Sequence, residues 1–355
     1  MADITITKTT QPKQKPPMDE SLGFGRFFSD HMFVMDWSSE RNWSDARVTP
    51  YASFSMDPAA GVFHYGQAMF EGLKAFKRAD GSLWLFRPEM HVKRMAVGAQ
   101  RLCMPVVPQT EMLEGVKALL RTDADWVPAK DGTAMYLRPT LIATEAFLGV
   151  RPANRYLFFV IASPVGSYYG KGLKPVRIWV ETEQVRAARG GLGGIKAGAN
   201  YAASLYAATR AKKDGYDQVL WLDAKNHETI EEVGTMNLFV IIGQSLITPP
   251  LTDSILAGVT RDTVMALGQK NGLKVEERPI SMTELKAASK AGTLKEVFGS
   301  GTAAVISPVG ELSMEKEKIV INSGEAGPMA LALYEEISGI QRGTVADPHG
   351  WMQKV

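Results

Sequence analysis

Residues 190–206 read GGLGGIKAGANYAASLY, a glycine-rich turn that leads through Lys196 into a helix-forming segment. Gly190, Gly191, Gly193 and Gly194 permit backbone angles closed to other residues and let a flat ligand approach the main chain. A lysine amine has an ordinary pKa of about 10.4, so it acts as a nucleophile only where burial or cationic neighbours favour its neutral form. Leu192, Ile195 and Ala197 supply apolar surroundings for such burial. A solvated lysine in a surface loop fits the same residues equally well, and the decision falls to the rest of the chain.

The chain has 355 residues, 45% hydrophobic and 22% charged, with a net charge of +2. That length supports two domains or one large α/β domain with a sizeable core. The small net charge offers no broad attraction to nucleic acid or an anionic membrane, so the expected partner is a small molecule. One cysteine, Cys103, excludes an intrachain disulfide and a cysteine-rich metal site, and it reads as a core residue in a reducing compartment. No run approaches the roughly 18 apolar residues of a membrane span. The opening MADITITKTTQPKQKPP lacks a secretory core and reads as a mobile tail, giving a cytoplasmic expectation.

Outward from the lysine loop, Val176–Val180 precedes it as a strand, and a helix follows from about Asn200 to Lys213, ended by Gly215. Val219–Leu222 is a buried strand by composition, and TIEEVGTMNLFVII returns through Glu232 into another. LAGVTRDT sets a glycine and a threonine ahead of a helix reaching about Lys270, an arrangement suited to phosphate. Ser281 to Glu284 has the spacing of a capping box, and EVFGSGTAAVISPV offers turn amides and the Thr302 hydroxyl. Upstream, His31–Trp37, Val48–Ser55, Leu83–Phe86, Met135–Thr140 and Arg155–Ala162 are strand-like. His64–Ala75 carries apolar residues at near-helical spacing, and helices are expected over Arg87–Arg101 and Glu111–Thr122. Residues 163–175, rich in glycine and proline, form the candidate connection between domains.

Taken as a set, a buried lysine, an acid at a strand edge, a nearby tyrosine and two short loops with free amides match the needs of pyridoxal 5'-phosphate. That cofactor requires a lysine for its aldehyde, an acid beside its pyridine nitrogen and donors for its phosphate. Singly these signals are weak, since a threonine before a helix is more often only a cap. The order GGIKAGANY, EEVGTMNLF, GVTRD and FGSGTA resembles the fold-type IV pyridoxal-phosphate enzymes, and most closely the branched-chain amino-acid aminotransferases. HYGQAMFEGLKAF, LWLFRPEMHVKRM, RLCMPVVP and YLRPTLIATEAFLGV extend the resemblance from about Phe24 to the C-terminus.

The resemblance implies a mixed α/β fold with a mobile tail over 1–20 and a smaller N-terminal domain over 21–165. A connecting loop over 166–176 then leads to a larger, pseudo-barrel-like cofactor domain over 177–355. It makes Lys196 the lysine that bonds the cofactor aldehyde, Glu232 the partner of the pyridine nitrogen and Tyr201 the donor to the ring hydroxyl. Arg94, the amides of Val259 and Thr260 and the Thr302 hydroxyl would hold the phosphate, with Thr235 and Asn237 supporting the ring. Tyr65, Arg138 and the turn at Thr302 and Ala303 would surround the substrate α-carboxylate. Phe24, Phe70, Tyr136 and Tyr168 would line the side-chain pocket, with Leu148 and Val150 reaching in from the other chain of a homodimer. The implied reaction is ping-pong transamination between leucine, isoleucine or valine and 2-oxoglutarate. Another fold-type IV enzyme, such as a D-amino-acid or amine transaminase or an aminodeoxychorismate-type lyase, and a non-catalytic binding protein remain as alternatives. Animal members carry a CxxC pair after the SGTA turn; Ala304 and Ser307 stand there, which removes that thiol switch.

Overall fold

The computed structural model describes residues 3–166, 173–315 and 317–355. It divides into two compact units, one comprising Met1–Gly170, Lys196–Ala199 and Gly339–Val355, the other Lys171–Ile195 and Asn200–Ser338.

The first unit contains strands β1 (Thr5–Ile6), β2 (His31–Ser38), β3 (Asn42–Pro50), β4 (Ala68–Phe70), β5 (Leu73–Lys77), β6 (Leu83–Phe86), β7 (Ala134–Ala143) and β8 (Arg155–Val165). Its helices are α1 (Gly61–Tyr65), α2 (Pro88–Arg101) and α3 (Gln109–Thr122). The sheet order is β1-β3-β2-β8-β7-β5-β6, with the C-terminal strand Met352–Lys354 beyond β6 and β4 paired to β7. Met112, Val116, Leu119 and Leu120 recur at helical spacing along α3, and all four are buried in one core with Phe33, Leu73, Leu137 and Phe158. Gly115 of α3 is required by that packing, because a Cβ there would lie 2.3 Å from the Phe33 ring.

Three sequence expectations change in this unit. His64–Ala75, read as a helix, is one helical turn followed by two strands. Gly66 closes α1 in the left-handed conformation at φ 58°, and β4 and β5 then pair with β7. Ladder pairing outweighs the near-helical spacing of Tyr65, Met69, Phe70 and Leu73, because periodicity over so few residues is ambiguous. Cys103 is exposed rather than in the core. The opening segment, read as a tail, makes definite contacts: β1 pairs in parallel with β3, the Thr9 amide donates to His31 Nε2 at 2.8 Å, and the Lys13 amide donates to Asp30 at 2.8 Å. Of the connection expected over 166–176, residues 167–172, with Tyr168 among them, lie outside the described residues.

The second unit contains β9 (Val176–Val180), β10 (Gln218–Leu222), β11 (Ile230–Val233), β12 (Met236–Ile242), β13 (Ser245–Thr248), β14 (Lys274–Glu277), β15 (Leu294–Gly301), β16 (Val305–Met314) and β17 (Glu317–Val320). Helices α4 (Gly198–Lys213), α5 (Val259–Lys270), α6 (Met282–Lys290) and α7 (Pro328–Arg342) accompany them. The order β11-β10-β9-β16-β15-β12 is closed by a further pairing of β11 with β12, so six strands form a barrel. Closure leaves no free edge among these six. Leu238, Phe239 and Val240 of β12 are consecutive and fully buried, and Phe239 stacks on Phe298 of β15 at 5.4 Å. Half of the capping box at α6 is present: the Glu284 amide donates to Ser281 Oγ at 3.1 Å, while the Glu284 carboxylate accepts from Arg278 at 2.7 and 3.0 Å.

Candidate active site

In the first unit, Lys196 is tied to β4 through the backbone. The Phe70 amide donates to the Lys196 carbonyl at 3.1 Å, and Met69 and Ala197 form an isolated bridge. The lysine Nζ lies 5.0 Å from the centre of the Phe70 ring. The Arg138 guanidinium stacks on that same ring at 4.4 Å and donates to the Tyr136 hydroxyl at 3.1 Å. Phe24 meets Tyr136 edge-on at 4.8 Å between ring centres, so these aromatic and cationic groups share one surface of the unit. Gly72 makes room for it, since a Cβ would fall 1.9 Å from the Tyr136 hydroxyl. Lys74, directly across the ladder from Tyr136, is lowered to about 8 by burial and then by Arg342.

Beside the lysine lies a buried cluster that the sequence did not announce. Arg94 of α2 grips Glu71 with two bonds, Nε to Oε1 at 2.7 Å and Nη2 to Oε2 at 2.8 Å. His91, one helical turn earlier, meets the same carboxylate at 3.0 Å, and the Gly72 amide donates to it at 3.1 Å. Burial opposes the Glu71 charge, but Arg94 and then His91 outweigh it and hold the carboxyl well below the usual range. Burial likewise pushes the His91 imidazole down, against its bond to Glu71. On Lys196, burial acts first and Arg94 second, lowering its pKa to about 8 against the opposing pull of Glu71 and Tyr136. The fixed positive charge of Arg94 therefore favours the neutral, nucleophilic amine. The one available signal was an acid inside the apolar run MFEGL of β4 and β5.

The second unit holds the acid expected from the sequence. Glu232 lies on β11 and is 3% exposed. Its Oε1 accepts from the Leu256 amide at 2.9 Å and from Asn237 Nδ2 at 3.3 Å, while Arg186 Nε approaches Oε2 to 3.0 Å. Asn237 stands opposite Glu232 in the pair that closes the barrel, and its Nδ2 also donates to the Leu256 carbonyl at 2.8 Å. Tyr201, Thr235, Asn200 and Glu232 border one recess with Arg186 and Leu256. Arg186 was missed because nothing in EQVRAARGG separates a buried cation from a solvated one.

Val259 and Thr260 open α5 and are buried, and the preceding cap residue, Gly258, contributes no side-chain bond to the helix start. Thr302 and Ala303 follow β15 in a turn. A Cβ on Gly258 would sit 2.0 Å from Asn237 Oδ1. Gly258→Ala is therefore expected to displace Asn237 from Glu232 and destabilise the protein by about 1–3 kcal/mol, read as a lower midpoint in urea unfolding. Tyr65 donates to the Leu148 carbonyl, and Leu148 and Val150 are 62% and 86% exposed.

These residues fit the chemistry of pyridoxal 5'-phosphate on their own geometry. One lysine is shifted toward its neutral amine, one buried carboxylate accepts from two donors beside an arginine, and one helix start has no side-chain cap. The family model for amino-transferase class IV matches residues 68–312, and the chain belongs to that family. Members of this class depend on pyridoxal 5'-phosphate. The chain is 50% identical over 352 residues to branched-chain-amino-acid aminotransferase 2 of Bacillus subtilis (strain 168), covering 99% of this chain and 96% of that one. It is 48% identical over 353 residues to branched-chain-amino-acid transaminase 1 of the same organism, covering 99% of each. Among solved structures, the branched-chain amino acid aminotransferase of Escherichia coli superposes with a TM-score of 0.76 at 26% identity, over 91% of this chain and 98% of that one. The fold-type IV resemblance read from the sequence, and its mixed α/β fold, agree with these findings. Among the described residues no helix is long and apolar enough to cross a membrane.

Proposed function

We propose that the chain transfers the amino group of L-leucine, L-isoleucine or L-valine to 2-oxoglutarate, with Lys196 as the group that moves the substrate α-proton. The observation that carries this reading is the depressed Lys196 amine beside Phe70 and Arg138, an aromatic wall and a carboxylate-binding cation on one surface. When bound, pyridoxal 5'-phosphate supplies an aldehyde for the amino group and an electron-withdrawing ring that acidifies the α-carbon. Lys196 Nζ would bond that aldehyde in the resting enzyme and would serve as general base and general acid at the substrate α-carbon. Glu232, with Arg186 beside it, would face the pyridine nitrogen and Tyr201 would donate to the ring hydroxyl, with Thr235 and Asn237 bracing the ring side. Arg94, the Val259 and Thr260 amides and Thr302 would hold the phosphate. Arg138, Tyr65, Thr302 and Ala303 receive the α-carboxylate, and Phe24, Phe70 and Tyr136 line an apolar pocket. Such a pocket separates substrates by only about 1–3 kcal/mol per methylene, so all three branched side chains are accepted.

The exposure of Leu148 and Val150 in a single chain supports a homodimer in which Leu148 of the partner subunit and Val150 of the partner subunit close the pocket. The single cysteine supports a reducing, cytoplasmic setting. The test is an absorbance spectrum of the holoenzyme with L-leucine and no oxo acid. Loss of the visible cofactor band, its return with 2-oxoglutarate, and a dimer by sedimentation are the expected results. A band that responds only to D-amino acids or amines would instead favour another transaminase of the same fold.

A further inference from the structure

A cavity of about 590 Å³ opens in the second unit beside the strand that carries Glu232. That volume lies within the roughly 300–1,000 Å³ of small-molecule sites. Its wall includes Glu231, Ile230, Ile255 and Pro249, and exposed Arg189 and Lys225 border it. None of the residues assigned to cofactor or substrate above lines it. Glu231 is there because β11 is bulged: Trp221 pairs with Glu232 and Leu222 with Ile230, which leaves Glu231 as the extra residue. A bulge re-aims a side chain that regular alternation would have placed elsewhere.

Glu231 is 8% exposed, and its carboxyl is half satisfied. Oε1 accepts from Ser254 Oγ, whereas Oε2 is buried with no hydrogen-bond partner. A buried acceptor left in that condition costs about 1–3 kcal/mol, which a donor from a ligand would recover. Burial pushes the carboxyl up, with Ser254 and Arg186 opposing it and Arg189 also acting on its charge. The cavity thus offers a buried acid, two cations at its border and an aliphatic wall, with a second carboxylate, Asp223, whose oxygens already accept from the Lys225, Asn226, Glu228 and Thr229 amides. These are the complements of an ammonium, a carboxylate and an alkyl side chain.

We propose that this cavity is an effector site for an aliphatic α-amino acid, with its ammonium on Glu231, its carboxylate toward Arg189 and Lys225, and its side chain against Ile230, Ile255 and Pro249. The consequence for turnover rests on the aminotransferase reading, but the binding does not. Arg186 links the two acids: its Nη2 donates to the Ser254 carbonyl, Ser254 Oγ bonds Glu231, and its Nε lies 3.0 Å from Glu232. The loop that carries Ser254 and Ile255 also delivers the Leu256 amide to Glu232. An ammonium seated on Glu231 favours its ionised form, draws on the charge of Arg186 and so changes the field at Glu232.

The test uses holoenzyme in which borohydride has fixed the cofactor on its lysine, so that L-leucine is not turned over, and binding at the substrate pocket is recognised by its persistence in Ala188→Phe and Arg189→Ala. Calorimetric titration with L-leucine should show one saturable site per chain. Leucinamide and 4-methylpentanoate, each lacking one charged end, should bind at least tenfold more weakly, as should L-leucine to Ala188→Phe and Arg189→Ala. Both substituted positions are exposed, so the fold is retained. No saturable binding, or equal affinity in wild type and both variants, overturns the proposal. Turnover of unmodified holoenzyme with L-leucine and 2-oxoglutarate is measured alongside. Its absence would remove the transaminase reading while leaving the binding result to stand or fall alone.

Discussion

Lys196→Met is expected to lower the rate of leucine transamination by at least ~10⁴-fold, because the substitution removes both the bond to the cofactor and the group that carries the α-proton. The same variant should make the apoprotein more stable near neutral pH. Burial and Arg94 hold the folded-state pKa of Lys196 at about 8, against 10.5 for an ordinary lysine. Below pH 8 the amine is charged in both folded and unfolded states, and the folded state bears an unfavourable charge worth on the order of 3 kcal/mol. As pH rises from 8 to 10.5 the folded protein sheds the proton while the unfolded chain still binds it, so wild-type stability climbs. Above that range both states are neutral, and the penalty is gone. Thermal unfolding of wild-type and Lys196→Met apoprotein should therefore differ most below pH 8 and converge by about pH 10.5. A constant difference across that range would place the lysine in solvent. Reactivation of apoenzyme by added cofactor should accelerate with pH up to about 8 and then level off.

Glu71→Gln is the second large effect. Arg94 loses the anion that receives its two bonds, and a buried guanidinium left beside an amide costs about 3–5 kcal/mol. His91, the Gly72 amide and Arg94 are left to compete for the one oxygen that glutamine keeps. Because Glu71 opposes the lowering of Lys196, its neutralisation should also carry the midpoint of apoenzyme reactivation below 8. A purely structural role would lower the unfolding midpoint without moving that pH profile. The double variant Glu71→Gln/Arg94→Met should regain part of the stability and lose the acid displacement, since it removes the buried guanidinium as well.

The residues that the family motifs name were legible because they occur as short contiguous phrases whose chemistry is local. Lys196 follows a glycine turn, Val259 and Thr260 open a helix, and Ser281 caps another through a bond three residues ahead. The regular faces of α3 and the unbroken apolar run of β12 were legible for the same reason, since burial imposes its period directly on the chain. His64–Ala75 was not, because its strands exist only through pairing with β7, far along the sequence. The β11–β12 pair of the barrel is a tight hairpin across Gly234 and Thr235, but the pairs of β9 with β16 and of β12 with β15 depend likewise on partners that no local pattern specifies.

The sequence by itself determined the family and singled out Lys196 and Glu232 as its candidate lysine and acid. Tertiary structure decided what acts upon them: Glu71, His91 and Arg94 around the lysine, Arg186 and the Leu256 amide on Glu232, and the bulge that turns Glu231 aside. Charge interactions reach across several ångströms of space and deepen with burial, whereas a sequence records only neighbours along the chain. An arginine therefore reads alike in solvent and in the core until the fold has chosen its partner.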